Sequence, residues 1–274
     1  MTMPITYLFV PGNRPERFEK ALAAGAVAIV LDLEDAVAPD DKVRARDAIA
    51  DWLPGHADAA ARIVLRINDA QSPWFEDDVA LLKSLAVRQV MLPKTEWPDQ
   101  IAQLRARLDP ASRVLPLIET ARGVANVGDI ALAEGVLRLV FGTLDYAADL
   151  DLSGDELGLA YPSARIAIAS RCAELASPVA GVTPGIEDAE RIAADFAFAR
   201  AFGFGAKLCI HPKQVAVVHA ACRPSAADQD WAERVLAAAA ASGGAARLDG
   251  KMIDRPVVLK AQAILARCTD ASTG

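Results

Sequence analysis

The sequence is most easily bounded by what it lacks. No Cys-x-x-Cys pair occurs. Its four cysteines, Cys172, Cys209, Cys222 and Cys268, stand far apart, three of them in apolar helix-like or strand-like surroundings. Reduced thiols in or near a core are expected, rather than disulfides. No His-x-x-x-His or comparable spacing is present, which argues against a zinc centre. No apolar run approaches the length of a membrane span. The first residues show no basic-then-apolar leader, because Tyr7-Leu-Phe-Val10 is too short and runs into Pro11-Gly12. A formal net charge of −7 without a clustered basic face argues against a nucleic-acid partner. A soluble, cytoplasmic protein with no membrane or nucleic-acid partner is expected. Two further signatures are missing: a phosphate-binding P-loop, and a glycine-rich turn after the first strand, where Pro11-Gly-Asn-Arg-Pro-Glu-Arg17 stands instead.

What is present is a regular alternation. With 274 residues, 53% of them hydrophobic and 24% charged, the chain can bury one large α/β barrel or two small domains. Short apolar runs predict strands at Tyr7–Val10, Ala28–Leu33, Ile63–Ile67, Gln89–Leu92, Val114–Ile118, Leu137–Phe141, Val179–Val182 and Lys207–Ile210. Helices are predicted between them, at Pro15–Ala24, Asp41–Trp52, Trp97–Leu108, Ser163–Leu175 and Ile186–Phe202. Continuous rather than alternating apolar runs suit parallel strands covered on both faces. Eight strand-helix units predict a (β/α)8 TIM barrel over residues 1–222. Residues 223–274 form a C-terminal helical extension, with a helix from Pro224 through Ala240, a break at Ser242-Gly-Gly244 and a last helix at Val257–Arg267. Such an extension docks on its own barrel or on a neighbour's.

Catalytic groups of this fold sit at the C-terminal ends of the strands. The residues collected there are Arg14, Asp32, Glu34, Asp35, Arg66, Asn68, Lys94, Glu119, Asp145 and His211. Burying so many polar groups on one rim requires mutual pairing or a ligand. Glu119 and Asp145 each follow an apolar run, and two carboxylates so placed can share a hard cation such as Mg²⁺. Arg66 offers a fork to a carboxylate or an enolate oxygen, or pairs with Asp32 or Glu34. Asp32 and Glu34 alternate on one strand and point the same way; Glu34 is expected to face the site, with Asp32 deeper. Lys94 is read as a charged amine held among acids, in preference to a Schiff-base lysine. His211, before Pro212, could act as a general base, but fastening the rim or packing a cofactor is the expected role. Asp149, Asp151, Asp155 and Glu156 form an acidic loop, in which Asp149 is expected to support Asp145.

These segments together resemble the citrate lyase beta-subunit-like branch of the HpcH/HpaI aldolase family. The likeness is carried by Leu8-Phe-Val-Pro-Gly-Asn-Arg-Pro-Glu-Arg-Phe18, Leu31-Asp-Leu-Glu-Asp-Ala-Val37, Arg66-Ile-Asn68 and Leu92-Pro-Lys94. It continues through Ile118-Glu-Thr-Ala-Arg122, Phe141-Gly-Thr-Leu-Asp145, Cys209-Ile-His-Pro-Lys-Gln214 and Gly250-Lys-Met-Ile-Asp-Arg-Pro256. The resemblance implies Mg²⁺ dependence and cleavage or formation of a C–C bond in a β-hydroxyacyl-CoA thioester such as citryl-, citramalyl- or malyl-CoA, with acetyl-CoA and a keto acid as partners. It implies Glu119 and Asp145 as metal ligands, with Glu119 also near the substrate, and Arg66, Arg14 and Lys94 as substrate-binding residues. Arg66, Glu34 and Asp254 are the implied catalytic groups. Asp254 would be delivered into a neighbouring subunit of a homo-oligomer, a trimer being favoured; a turn aspartate opening a helix is its plain reading. Two departures bear on substrate choice: Leu144 stands where many members carry Glu, and Ala180 where relatives often carry an acid. Malate synthase-like or thioesterase activity, a carrier-dependent citrate lyase beta subunit and a class II aldolase acting on free acids are the alternatives.

Overall fold

The computed structural model describes residues 3–154, 156–241 and 246–270. It divides into two compact units, one from Met3 to Val218 and one from His219 onward. The Ser242-Gly-Gly244 break and Asp155 of the acidic loop lie outside the described residues.

The larger unit is a closed barrel of eight parallel strands in sequential order. The strands are β1 (Thr6–Pro11), β2 (Ala28–Asp32), β3 (Ile63–Arg66), β4 (Gln89–Leu92), β5 (Arg113–Ile118), β6 (Val140–Phe141), β7 (Val179–Ala180) and β8 (Ala206–Cys209). The helices of this unit are α1 (Phe18–Ala23), α2 (Lys42–Trp52), α3 (Phe75–Ser84), α4 (Pro98–Arg105), α5 (Ala121–Ala125), α6 (Val127–Leu132), α7 (Thr143–Asp149), α8 (Leu157–Cys172), α9 (Ala189–Ala201) and α10 (Pro212–Cys222). No helix among the described residues is long and apolar enough to cross a membrane.

Side chains alternate across a strand, so every strand sends one set inward and one toward the helices. The inward set includes Tyr7, Val30, Val64, Met91, Leu115, Leu117, Val140, Val179, Ala206 and Leu208, which form one buried cluster. The outward set meets the helices, which explains strands that are apolar at nearly every position.

Several predicted boundaries move. The predicted β6 and β7 segments keep only two residues each, because their first or last members leave the ladder for loop hydrogen bonds; Leu137 still donates to Val114 O (2.8 Å). The predicted Pro15–Ala24 helix is a 3-10 turn at Pro15–Arg17 followed by α1. Helix α8 begins at Leu157, six residues before the prediction, and carries Pro162 inside it. Pro162 reads as a helix breaker, and as the sixth residue of α8 it lacks the N–H that would bond to Gly158 O.

The smaller unit pairs α11 (Ala226–Ala241) with α12 (Arg255–Asp270) around Ala232, Val235, Ile253, Ala261 and Ile264. Between them lies an antiparallel hairpin, β9 (Ala246–Leu248) and β10 (Lys251–Ile253). Its turn is Asp249-Gly250, both at positive φ (50° and 76°). An Asp-Gly pair is the preferred chemistry of a two-residue hairpin turn, a signal in the sequence that the prediction of a plain break passed over.

At the opposite barrel face from the strand ends, Arg138 is buried. It donates to Ser177 O and to Pro4 O (2.5 Å), and lies over the Tyr7 ring. It ties the entry of β1 to the entries of β6 and β7. Arg138→Met strands these acceptors in a closed interior and should lower stability by roughly 2–4 kcal/mol. Urea unfolding followed by circular dichroism measures this; a loss below experimental error would show the tie to be dispensable.

Candidate active site

Sequential strand order sets the ends of β2 to β6 side by side, and each contributes one polar group. Asp32 ends β2 and is paired in register with Arg66, which ends β3. Arg66 donates to Asp32 through Nε to Oδ1 and Nη2 to Oδ2, both at 2.6 Å. Its remaining nitrogen, Nη1, lies 2.7 Å from Glu34 Oε2 and 3.8 Å from Asp35. The guanidinium also stacks over Phe9, 4.7 Å from the ring centroid. Such a bidentate pair fixes the plane of the guanidinium. Burial pulls the Arg66 pKa down, but Asp32 and Glu34 outweigh it and hold the group above its ordinary value. Arg66 therefore pairs with both of the acids its sequence position offered, Asp32 and Glu34.

Asp32 is wholly buried and also accepts from the backbone N–H groups of Glu34 (2.9 Å) and Ala36 (3.1 Å). It is a structural anchor. Glu34 extends past it, toward Lys94 Nζ at 3.1 Å. Its Oε2, although close to Arg66, makes no hydrogen bond of good geometry. Burial pushes the Glu34 carboxyl up to about 7 against the pull of Arg66, with Asp35 adding to the rise and Lys94 opposing it.

Lys94 follows β4 in the left-handed conformation (φ 48°). That twist turns its backbone N–H onto Glu119 Oε1 at 2.7 Å while its side chain reaches Glu34. The turn is secured by Thr95, whose Oγ1 donates to Leu92 O and whose N–H donates to Leu117 O. Desolvation lowers the Lys94 pKa, and Glu34 more than restores it, so the amine is a held cation. The sequence reading of a charged, acid-paired lysine agrees with this geometry.

Glu119 ends β5 and is 2% exposed. Burial pushes its carboxyl up to about 8, Glu34 and Asp145 push it further, and the Lys94 N–H and Arg66 oppose them. Gly142, after β6, gives it room: a Cβ there would sit 2.6 Å from both the Cβ and the Oε2 of Glu119. Asp145 lies in the first turn of α7 and is exposed. Two neighbouring carboxylates, one of them buried and short of positive partners, suit a hard divalent cation. Among the described residues no group of three or more His, Cys, Asp or Glu is set to hold a metal. The remaining coordination positions would therefore fall to water and substrate oxygens.

Other predicted residues lie apart. Arg14, on the loop after β1, is half-exposed and bonded to Glu16 (2.6 Å). His211 is half-buried, its Nδ1 accepting from the Lys213 N–H, while Gln214 does the fastening through Ile210 N, Thr183 O and Gly185 O. Asn68 turns into a buried network with Asp78 and Lys42. Asp149 caps α5 through the Ala121 N–H (2.7 Å), so the expected support of Asp145 is replaced by a helix cap. Asp254 stands before α12 and accepts from the Val257 N–H at 3.1 Å, the arrangement its plain reading implied.

Sequence reasoning missed Lys42. From the start of α2 its ammonium reaches Leu33 O (2.6 Å), Glu34 O (2.7 Å) and Asn68 Oδ1 (2.8 Å), holding the end of β2 in shape. In Asp40-Asp41-Lys42 it reads as a solvated helix start, and only the approach of another element shows otherwise.

Glu119 binds its proton more tightly in the folded protein than in an unfolded chain, where the carboxyl titrates near 4.5. Without a cation, its contribution to stability is therefore lost as pH rises from about 4.5 toward 8. In chelator, Glu119→Gln should raise stability at pH 8 by on the order of 1–3 kcal/mol and change little at pH 4.5. Thermal unfolding at the two pH values decides; a variant no more stable than the parent at pH 8 contradicts the charge argument.

The family model described as HpcH/HpaI aldolase/citrate lyase matches residues 6–212. The chain is 36% identical over 275 residues to a citrate lyase subunit beta-like protein of Mycobacterium tuberculosis, covering 97% of this chain and 96% of that one. It is 33% identical over 267 residues to a (3S)-malyl-CoA thioesterase of Cereibacter sphaeroides, covering 95% and 93%. The crystal structure of CitE from M. tuberculosis in complex with magnesium, acetoacetate and coenzyme A matches with a TM-score of 0.86 at 35% identity, over 96% of this chain and 97% of that one. With the barrel, the strand-end acids and these likenesses in agreement, the chain belongs to the HpcH/HpaI aldolase/citrate lyase family.

Proposed function

We propose that this chain is an Mg²⁺-dependent lyase that cleaves or forms the C–C bond between the acetyl-CoA and keto-acid halves of a β-hydroxyacyl-CoA such as malyl-, citramalyl- or citryl-CoA. The observation that carries it is the buried, cation-seeking Glu119 beside Asp145, with a doubly anchored Arg66 on the same rim. The M. tuberculosis relative described with magnesium, acetoacetate and coenzyme A supports the choice of metal and thioester.

Glu119 and Asp145 would hold the ion, which when bound supplies Lewis acidity and a template for the acid half of the substrate. Lys94 N–H fixes one Glu119 oxygen, so the ligand is oriented before the ion arrives. Glu34, whose carboxyl is pushed up to about 7, is matched to take the β-hydroxyl proton, directly or through water. As that O–H bond breaks, the carbonyl of the keto acid forms and the C–C bonding pair moves into the thioester enolate. Arg66 presents its Glu34-facing edge to the developing negative charge, its other edge being locked on Asp32. Lys94 Nζ and Arg14 are assigned to the substrate's carboxylate and the mouth of the site. Asp254, from a neighbouring subunit of a homo-oligomer, would return a proton to the enolate carbon; its support is the Gly250-Lys-Met-Ile-Asp-Arg-Pro256 segment.

Similarity to the Cereibacter thioesterase favours a second reading, in which water releases CoA from the same thioesters. The two are separated by their products. The lyase reading expects keto acid and acetyl-CoA in equal amounts from malyl- or citramalyl-CoA and no free CoA. EDTA should abolish turnover, and Glu119→Ala should lower kcat/KM at least ~10²-fold. Free CoA with malate or citramalate as the products would establish the thioesterase instead, and no turnover of any free CoA ester by the isolated chain would point to a carrier-bound substrate.

Delivery of Asp254 in trans has its own test. Glu119→Ala and Asp254→Ala variants, each inactive alone, should recover roughly a quarter of wild-type activity when unfolded and refolded together at equal ratio, if sites form from two chains. Failure to recover, with both variants oligomeric, removes the trans role.

A further inference from the structure

A second cavity lies on the helix side of the barrel wall, away from the strand-end acids. Val140, Val179, Ala206 and Leu208 face the barrel interior. Their neighbours Phe141, Ala180 and Lys207 therefore face outward, and all three line a partly open cavity of about 200 Å³ bounded by α7, α8 and α9. Its walls are apolar, with Leu144, Leu159, Val182, Phe198 and Phe204 the largest contributors besides Phe141. Interiors of proteins rarely keep a void larger than a water molecule. An apolar engineered cavity of about 150 Å³ accommodates benzene, so this one suits a body of about six to eight heavy atoms.

Of the four charged residues that line it, Glu156, Arg191, Asp195 and Lys207, Lys207 is the most deeply buried. Lys207 is 2% exposed and donates a single hydrogen bond, to Gly181 O at 2.7 Å. Among the described residues two of its three N–H donors have no acceptor, and no acid is within ion-pair distance of it. The strongest in influence, Asp195, has Oδ2 taken by Thr183 Oγ1 and Oδ1 by Arg191 Nε, both at 2.6 Å. Burial draws the Lys207 ammonium down to about 8, as expected of a cation short of counter-charge. At the rim Arg191, half-exposed, bridges Asp195 and Glu156 (3.2 Å) and cancels their charge toward an arriving anion. A buried ammonium with spare donors at one end of an apolar chamber is complementary to a carboxylate on a short hydrocarbon body.

We propose that the Lys207 cavity is a binding site for a free short-chain alkyl carboxylate, its head on Lys207 Nζ and its chain among Phe141, Phe198 and Phe204. This site is independent of the lyase reading, and binding there needs neither the metal nor turnover.

The test is calorimetric titration of the full chain in chelator with acetate, butyrate, hexanoate and octanoate, and with 1-hexanol. Saturable 1:1 binding should be strongest near hexanoate. Acetate and 1-hexanol should each bind at least ~10-fold more weakly, lacking respectively the apolar body and the charge. Lys207→Met should weaken hexanoate at least ~10-fold and leave 1-hexanol unchanged, while Ala180→Leu, which fills the chamber, should remove both. Should a variant fail to fold, the wild type decides by NMR: hexanoate methyl protons should show cross-relaxation with phenylalanine ring protons. No saturable hexanoate binding at millimolar concentrations, binding indifferent to both folded variants, or no ring contact would each overturn the site.

Discussion

Everything on the functional rim is built around one buried cation. The Arg66 guanidinium is short of water, and the protein compensates with three acids from the end of β2, of which Asp32 takes one edge through two hydrogen bonds. An isolated buried charge is untenable, so neither partner can be altered alone without exposing the other. The arrangement consumes the positive charge near Arg66 before it reaches Glu119. That leaves Glu119 facing Glu34 and Asp145 with only a backbone N–H and distant cations in its favour. On the proposed reading, the divalent ion would supply the charge that the way the arginine is satisfied withholds from Glu119.

Lys42 and Asp78 extend the same logic one layer outward. Lys42 ties the carbonyls of Leu33 and Glu34, while Asp78 takes Asn68 and Arg46. These groups carry the β2 end past the strand register into the loop, so that Glu34 reaches beyond Asp32 rather than lying beside it. Helices α2 and α3 therefore help to shape the site although neither supplies a residue facing it. Burial pushes the Asp78 carboxyl up, and its bonds to Asn68 and Arg46 draw it back.

Much of this was legible in the linear chain, for a physical reason. Parallel barrel strands are apolar at consecutive positions, so an acid or arginine directly after such a run, as at Glu119 and Arg66, marks a strand end. The pairing of Asp32 with Arg66 also follows from adjacent strands. Less legible were groups whose role depends on the reach of a long side chain from another element, Lys42 and Lys207 among them. Strand lengths were less legible too: the strands expected at Leu137–Phe141 and Val179–Val182 keep two ladder residues each. The Asp249-Gly250 hairpin was written in its turn residues and hidden by reading the segment as an interruption. Asp149 shows the reverse hazard, an acid near a metal candidate whose geometry spends it on a helix start.

The left-handed turn at Lys94 has a consequence for how such an enzyme can diverge. A single residue grips Glu119 through its main chain and Glu34 through its side chain. Replacing the side chain would release Glu34 while sparing the grip on Glu119; inserting or deleting a residue in the loop would disturb both. On the proposed assignment of Glu34 and Glu119, a change of side chain here would retune proton transfer alone, whereas a change of loop length would disturb metal and proton chemistry together.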